Sequence, residues 1–310
     1  MRRVLLPLAS ALSLLLFSPV GLAQAAIETA PASSAVQSAS AREHLDVPYV
    51  TKGHERQRLD LYLPATPATG RPLVIWIHGG GWEQGSKEGN PGKALLDHGY
   101  AVASIGYRLS QHAVYPAQIE DCKAAVRFLR ANAGRYGLDP ERIGVWGASA
   151  GGHLAALLGT TGNIRTFDVG EHLDQSSAVQ CVLDWFGPTD FLNYGEPPMR
   201  ALDAPNSVVA RLLGGPLPSN EEKARKASPF YFVHAKAAPF LIMQGDSDPL
   251  VPLQQSERLH KALRDAGVES HLEVLPGAKH GGAEFFSGPN IRLMGAFFQR
   301  HLGAKTASAN

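Results

Sequence analysis

Cysteine is scarce in this 310-residue chain: only Cys122 and Cys181 are present. Neither has a Cys or His partner at the short spacing of a zinc site, which argues against a metal centre. Charge is scarce as well. Charged residues make up 18% of the chain, and 29 Lys plus Arg against 28 Asp plus Glu leave a formal net charge of +1. Without a basic cluster, electrostatic capture of nucleic acid or of an anionic membrane is not expected. Internal repeats are missing, and 44% hydrophobic residues with 32 Gly and 22 Pro fit neither disorder, collagen nor a coiled coil. What is present suits one large α/β domain or two small ones.

The N-terminus has its own logic. Arg2 and Arg3 precede an apolar stretch over 4–17, and Ala23-Gln24-Ala25 offers a small-x-small cleavage pattern. These features predict a signal peptide over 1–25, cleaved after Ala25, and a secreted or periplasmic protein. The stretch is shorter than the roughly 20 residues a spanning helix needs, so no stable membrane anchor is expected. Residues 26–41, rich in Ala and Ser, read as a flexible lead-in to a folded domain over 42–304. Export makes a Cys122–Cys181 disulfide possible, and the spacing alone leaves that question open.

From residue 45 onward, strand-like and helix-like segments alternate. Residues 59–63 alternate apolar and polar positions, whereas 73–77 form a continuous apolar run, the pattern of a strand buried on both faces. Further strands are predicted over 101–107, 143–146, 179–186, 240–243 and 271–275, with helices over 116–131, 150–158, 253–266 and 291–301. Such alternation predicts a mainly parallel sheet of about eight strands covered by helices on both faces. Residues 187–229 break the rhythm with many Pro, Gly and charged positions, and are read as a lid inserted over the carboxyl edge of the sheet.

Gly147-Ala148-Ser149-Ala150-Gly151 lies directly between a predicted strand and a predicted helix. A serine on so tight a turn is lifted clear of the sheet, and the helix points its free N–H groups and partial positive charge at it. Ser149 is therefore the candidate nucleophile. His78-Gly79-Gly80-Gly81-Trp82 follows the buried strand over 73–77. Its glycines let the backbone turn N–H groups toward a developing oxyanion, with Gly80, Gly81 and Ala150 as donors. A phosphate loop would need G-x-G-x-x-G or a terminal Lys-Ser/Thr, and neither is present.

A serine needs a base and an orienting acid, which in this topology follow it in the order Ser, acid, His. His280 stands among glycines just after the last predicted strand and is the candidate base. His260, His271 and His301 fall within regular elements, and His153 is read as packed or hydrogen-bonded one turn beyond Ser149. Asp248 is the candidate acid. Asp246 is the runner-up and reads better as a turn-former; Asp184 and Asp190 are lesser candidates. Trp82, Trp185 and Phe186 fall at strand ends, where they either line a substrate pocket or pack in the core. Arg108 reads as a structural hydrogen-bond donor.

These motifs, with Gly106-Tyr107-Arg108-Leu109, Asp139-Pro140, Trp185-Phe186-Gly187-Pro188-Thr189-Asp190 and Asp248 to Pro252, resemble the α/β-hydrolases of the HGGG-type esterase/lipase group. More narrowly, the chain resembles the bacterial feruloyl/acetyl-xylan-esterase-like family. That resemblance implies an α/β-hydrolase fold and a Ser149–His280–Asp248 triad with an oxyanion hole at Gly80, Gly81 and Ala150. It further implies ester hydrolysis through an acyl-enzyme without a cofactor, on a small-molecule or polysaccharide-linked ester. An amidase or arylformamidase with the same triad is the alternative, and a non-catalytic binding protein on this fold a remote one.

Overall fold

The computed structural model describes residues 42–195 and 204–303. The expected signal peptide and lead-in lie outside the described residues. Residues without polar interruption supply the middle of the fold. β1 (Arg42–Pro48), β2 (Arg58–Leu63), β3 (Arg71–Ile77) and β4 (Ala101–Ile105) precede α1 (Ala117–Ala131) and the short α2 (Ala133–Tyr136). β5 (Leu138–Ala148), α3 (Ala150–Thr161) and β6 (Cys181–Trp185) carry the chain to the insert, which holds α4 (Val208–Leu213) and α5 (Glu221–Ala227). β7 (Phe240–Gly245), α6 (Leu253–Asp265), β8 (Ser270–Leu275) and α7 (Gly288–Leu302) complete the domain. The strands form one sheet in the order β1-β2-β4-β3-β5-β6-β7-β8. β1 and β2 pair antiparallel to their neighbours, and β3 through β8 run parallel. This is the α/β-hydrolase arrangement.

Two apolar layers sandwich the sheet, and β3 feeds both. Leu73, Ile75 and Ile77 join the layer under α1 and α3, while Val74 and Trp76 join the layer that contains Phe298 of α7. Burying a side chain of this size stabilises the fold by about 1.5–3 kcal/mol, which is why a run of five apolar residues specifies a central strand.

The same two layers decide the cysteine question. Cys122 on α1 belongs to the first layer, whereas Cys181 on β6 points into the second, where it meets Gly144, beside Leu302 and Phe298 of α7. The sheet lies between the two sulfurs. Both cysteines are free and buried, and burial pushes both thiols above their ordinary range. The disulfide that export would permit is absent.

Other departures are local. β1, an exposed edge strand, was not marked by any apolar alternation, and a 3₁₀ segment over Pro91–His98 fills a stretch to which no element was assigned. The insert begins with buried residues, among them Thr189, Asp190 and Phe191. Gln255 of α6 holds that start: its Oε1 accepts the N–H groups of Thr189 and Asp190 at 2.7 Å each.

The thiols give a direct check. In denaturant without reductant, Ellman's reagent should count two thiols per chain, and the native protein should react with neither; zero thiols in denaturant would contradict the placement of Cys122 and Cys181 on opposite faces.

Candidate active site

β5 runs into α3 with one residue between them, and that residue is Ser149. Its backbone is left-handed (φ 57°, ψ −119°), a conformation that costs a non-glycine residue roughly 1–3 kcal/mol and persists only where its surroundings impose it. Here they do. A Cβ on Gly147 would lie 2.1 Å from the Gly151 carbonyl oxygen, and one on Gly151 would lie 2.0 Å from that of Ile77. Only glycine lets α3 approach β5 and β3 this closely. The Ser149 N–H then donates to the Trp185 carbonyl at 2.8 Å.

Loops after β8 and β7 bring two more predicted side chains to this point. Ser149 Oγ lies 2.8 Å from His280 Nε2, and His280 Nδ1 lies 2.7 Å from Asp248 Oδ2. The buried Asp248 carboxylate accepts the N–H groups of Leu250 (2.8 Å) and Val251 (3.0 Å) on its other oxygen. Burial alone would raise its pKa, but the His280 hydrogen bond and charge, with those N–H groups, hold it below the ordinary carboxylate value. Gln244, which sequence reasoning missed, donates to Asp248 Oδ2 at 3.0 Å, and Ser256 Oγ donates to the Gln244 amide oxygen at 3.0 Å. The ring of Phe186 packs on His280 with centroids 4.6 Å apart.

The competing residues are occupied elsewhere. Asp246 accepts the N–H of Gly277 at 2.7 Å and the Ser247 hydroxyl at 3.0 Å, as a turn-former would. Asp190 is bound to Arg258 and Asn193. His260 meets Ser270, His271 meets Glu273, and His301 approaches Glu269. Arg108 forks onto Asp121.

Opposite the triad side chains, Gly80 (φ 108°), Gly81 (φ 59°) and Trp82 (φ 60°) are consecutively left-handed. The Gly80 carbonyl accepts the N–H groups of Glu83 (3.1 Å) and Gln84 (3.0 Å), whereas the N–H groups of Gly80 and Gly81 donate to no protein acceptor among the described residues. Ala150, at the first turn of α3, has an N–H with no intrahelical partner. His78 braces the loop from behind. It is stacked on Tyr107 with centroids 4.4 Å apart, its Nδ1 is 2.7 Å from the Gly79 carbonyl, and its Nε2 accepts from Arg56 at 3.2 Å. Burial pushes its pKa down to about 4, so the ring is neutral.

A cavity of about 910 Å³ opens above Ser149 and His280. Phe186, Pro188, Val208, Leu250 and Val251 give it an apolar wall, and Glu83, Gln84, Asn206, Ser207 and Arg211 a polar one. Arg211 of α4 grips Glu83 through two nitrogens, so the insert is tied to the glycine loop at the cavity rim. Phe186 and Trp82, for which the sequence left pocket and core both open, are buried residues that also border the cavity. Trp185 does not: strand alternation turns it with Cys181 and Leu183 into the layer under α7, where it packs on Trp146, Phe285 and Phe286. A second cavity of about 520 Å³, between Tyr115, Phe167 and Lys223, contains none of the predicted residues. Among the described residues, no cluster of three or more His, Cys, Asp or Glu could hold a metal ion.

The sequence model of the BD-FAE family matches residues 59–263. The chain belongs to that family. Esterase LipQ of Mycobacterium tuberculosis is 32% identical over 281 residues, 85% of this chain, which in turn spans 64% of LipQ's length, under two thirds of it. A carbohydrate esterase from gut microbiota, solved in truncated form, is 33% identical with a TM-score of 0.77, covering 86% of this chain and 98% of its own. A bifunctional GH43-CE protein of Bacteroides eggerthii is 35% identical with a TM-score of 0.78, covering 84% of this chain and 35% of that one.

Within this BD-FAE domain, Asp184 is a fully buried acid that the Ser149–His280–Asp248 row leaves unused. It lies on β6 opposite Gly147. One oxygen accepts the Gly187 N–H at 3.0 Å, and the other has no partner. Burial pushes its pKa up to about 7, only partly offset by the Gly187 bond. The unfolded chain releases this proton near 3.8 and the folded protein near 7, so across that window the folded state holds the extra proton and stability falls as pH rises. Asp184→Asn should therefore melt above wild type at pH 8, and the difference should shrink as pH drops toward 4; a pH-independent difference would contradict the protonated assignment.

Proposed function

We propose that the protein is an exported serine hydrolase that cleaves carboxylic esters through an acyl-enzyme on Ser149. One observation carries this reading: the unbroken hydrogen-bonded row from the Ser149 hydroxyl through His280 to Asp248, at the floor of an open cavity. His280 takes the Ser149 proton as Oγ attacks the ester carbonyl, and ionised Asp248 fixes the imidazole tautomer and steadies the imidazolium. The N–H groups of Gly80, Gly81 and Ala150 receive the tetrahedral oxyanion; one such donor typically lowers the barrier by about 3 kcal/mol. As the ester C–O bond breaks, His280 protonates the leaving alcohol. Water, deprotonated by the same imidazole, then hydrolyses the acyl-serine and restores the hydroxyl. No step calls for a metal or a redox cofactor.

The substrate we propose is a short acyl or aromatic acyl ester of a hydroxylated alcohol. The apolar wall of Phe186, Leu250 and Val251 suits an acyl group, and the polar wall of Gln84, Asn206 and Arg211 suits a polyol. Likeness to the carbohydrate esterase along almost its whole length supports the same choice, as does the esterase LipQ. The apolar N-terminal segment with its small-x-small site supports export.

A p-nitrophenyl ester series, methyl ferulate and acetylated xylan should be assayed with wild type and Ser149→Ala. The variant should lose about 10⁴-fold or more of kcat on every ester that wild type turns over. Equal rates for variant and wild type would end the proposal. Turnover of an anilide or formamide without any ester would replace it with an amidase.

A further inference from the structure

His153 is the one member of the Gly147-Ala148-Ser149-Ala150-Gly151-Gly152-His153 run whose imidazole takes no part in the steps above, yet it is completely buried. It stands one helical turn beyond Ser149 on α3 and touches two other parts of the site. Trp82 Nε1 lies 3.1 Å from His153 Nδ1, and His153 Nε2 lies 2.6 Å from the carbonyl oxygen of Ala227, the last residue of α5. An indole N–H can only donate and a carbonyl can only accept, so the two partners dictate the tautomer: Nδ1 accepts and Nε2 carries the proton. Burial, which pushes the ring down to about 4, keeps it neutral as both bonds require.

The partner that matters is Trp82. It follows Gly81 directly, and its φ of 60° places a bulky residue in left-handed backbone. Such a conformation has to be held from outside. Ser110 holds the Trp82 carbonyl through its N–H at 2.8 Å. On the side-chain end, His153 fixes the indole by hydrogen bond and by an edge-on contact, with ring centroids 5.1 Å apart, and Phe191 packs on both rings, 5.7 Å from Trp82 and 5.2 Å from His153. Trp82, the residue directly after Gly80 and Gly81, is thus anchored through its side chain to the helix that also carries the nucleophile.

We infer that His153 is a positioning residue for the oxyanion hole: through Trp82 it sets the place of the Gly80 and Gly81 N–H groups relative to Ser149, with Ala227 locking its tautomer. One helix then fixes both the attacking oxygen and the site where charge develops. The inference rests on the Ser149 reading above.

Asn at 153 offers an amide oxygen near the position of Nδ1 and can keep the Trp82 bond, whereas Gln reaches toward Ala227 and cannot. Trp82→Phe removes the indole N–H and keeps an aromatic ring. Steady-state kinetics on a p-nitrophenyl ester, thermal melts, and inhibition by a trifluoromethyl ketone, whose serine adduct carries an oxyanion, should be measured for Trp82→Phe, His153→Gln and His153→Asn. Trp82→Phe and His153→Gln should each lose about 10- to 100-fold in kcat, the scale of a misplaced donor, with KM within about threefold. Ketone affinity should fall in step, the double variant should lose no more than the worse single one, and His153→Asn should recover most of kcat. Wild-type kcat and ketone affinity in Trp82→Phe would overturn the inference, as would equal losses in His153→Asn and His153→Gln accompanied by lowered melting temperatures. Failure of the Ser149 reading is seen separately, as an active Ser149→Ala.

Discussion

The strained backbone at Ser149 is the constraint around which the rest of the site is arranged. β5 and α3 meet so closely that Gly147 and Gly151 have no room for a Cβ against the carbonyl oxygens of Gly151 and Ile77. That closeness forces the left-handed turn, raises the hydroxyl to the rim, and aims the α3 N-terminus at the space where an ester carbonyl would lie. The parallel sheet supplies the rest by geometry. Its carboxyl edge is where loops after neighbouring strands converge, so His280 after β8 reaches Ser149 from 131 positions away along the chain, and Asp248 after β7 reaches His280 from 32 positions away.

The glycine loop and the insert are held to this centre by contacts of very different worth. Arg211 and Glu83 form a partly exposed ion pair at the rim, and such pairs contribute at most about 1 kcal/mol; its fork geometry orients the loop more than it stabilises the fold. The buried bonds beneath it are another matter. His153, His78 and Gln244 each satisfy two polar partners away from water, where leaving one unmade costs about 1–3 kcal/mol. These three residues make the site stiff, and none of them touches the cavity.

Much of this arrangement was legible in the sequence. Continuous apolar runs such as 73–77 mark strands buried on both faces, and the strand-turn-helix context singles out Ser149 among the serines. The order Ser, acid, His along the chain brought Asp248 and His280 forward. What stayed hidden depends on which face a side chain takes or on partners far away in sequence. Trp185 stands at a strand end next to Phe186, yet alternation sends it under α7 while the turn at Phe186 swings the next ring onto His280. β1, an exposed edge strand, has no apolar period to reveal it. His153 was read from sequence as packed or hydrogen-bonded beyond Ser149, and it is, but its partners Trp82 and Ala227 were not legible; Gln244 carries no motif signal, because its role exists only once β7 faces the Asp248 loop. The spacing of two cysteines gave no hint that a sheet would stand between them.

The most direct measurement is chemical labelling of the nucleophile. The protein should be treated with diethyl p-nitrophenyl phosphate, digested, and its peptides mapped by mass spectrometry. A serine activated by a neighbouring imidazole attacks phosphorus as it attacks an ester carbonyl, and the product is stable enough to isolate. The account predicts one phosphoryl group per chain, on Ser149, appearing in step with loss of ester turnover. Full loss of turnover with Ser149 unmodified, or a label on any other residue in its place, would contradict it.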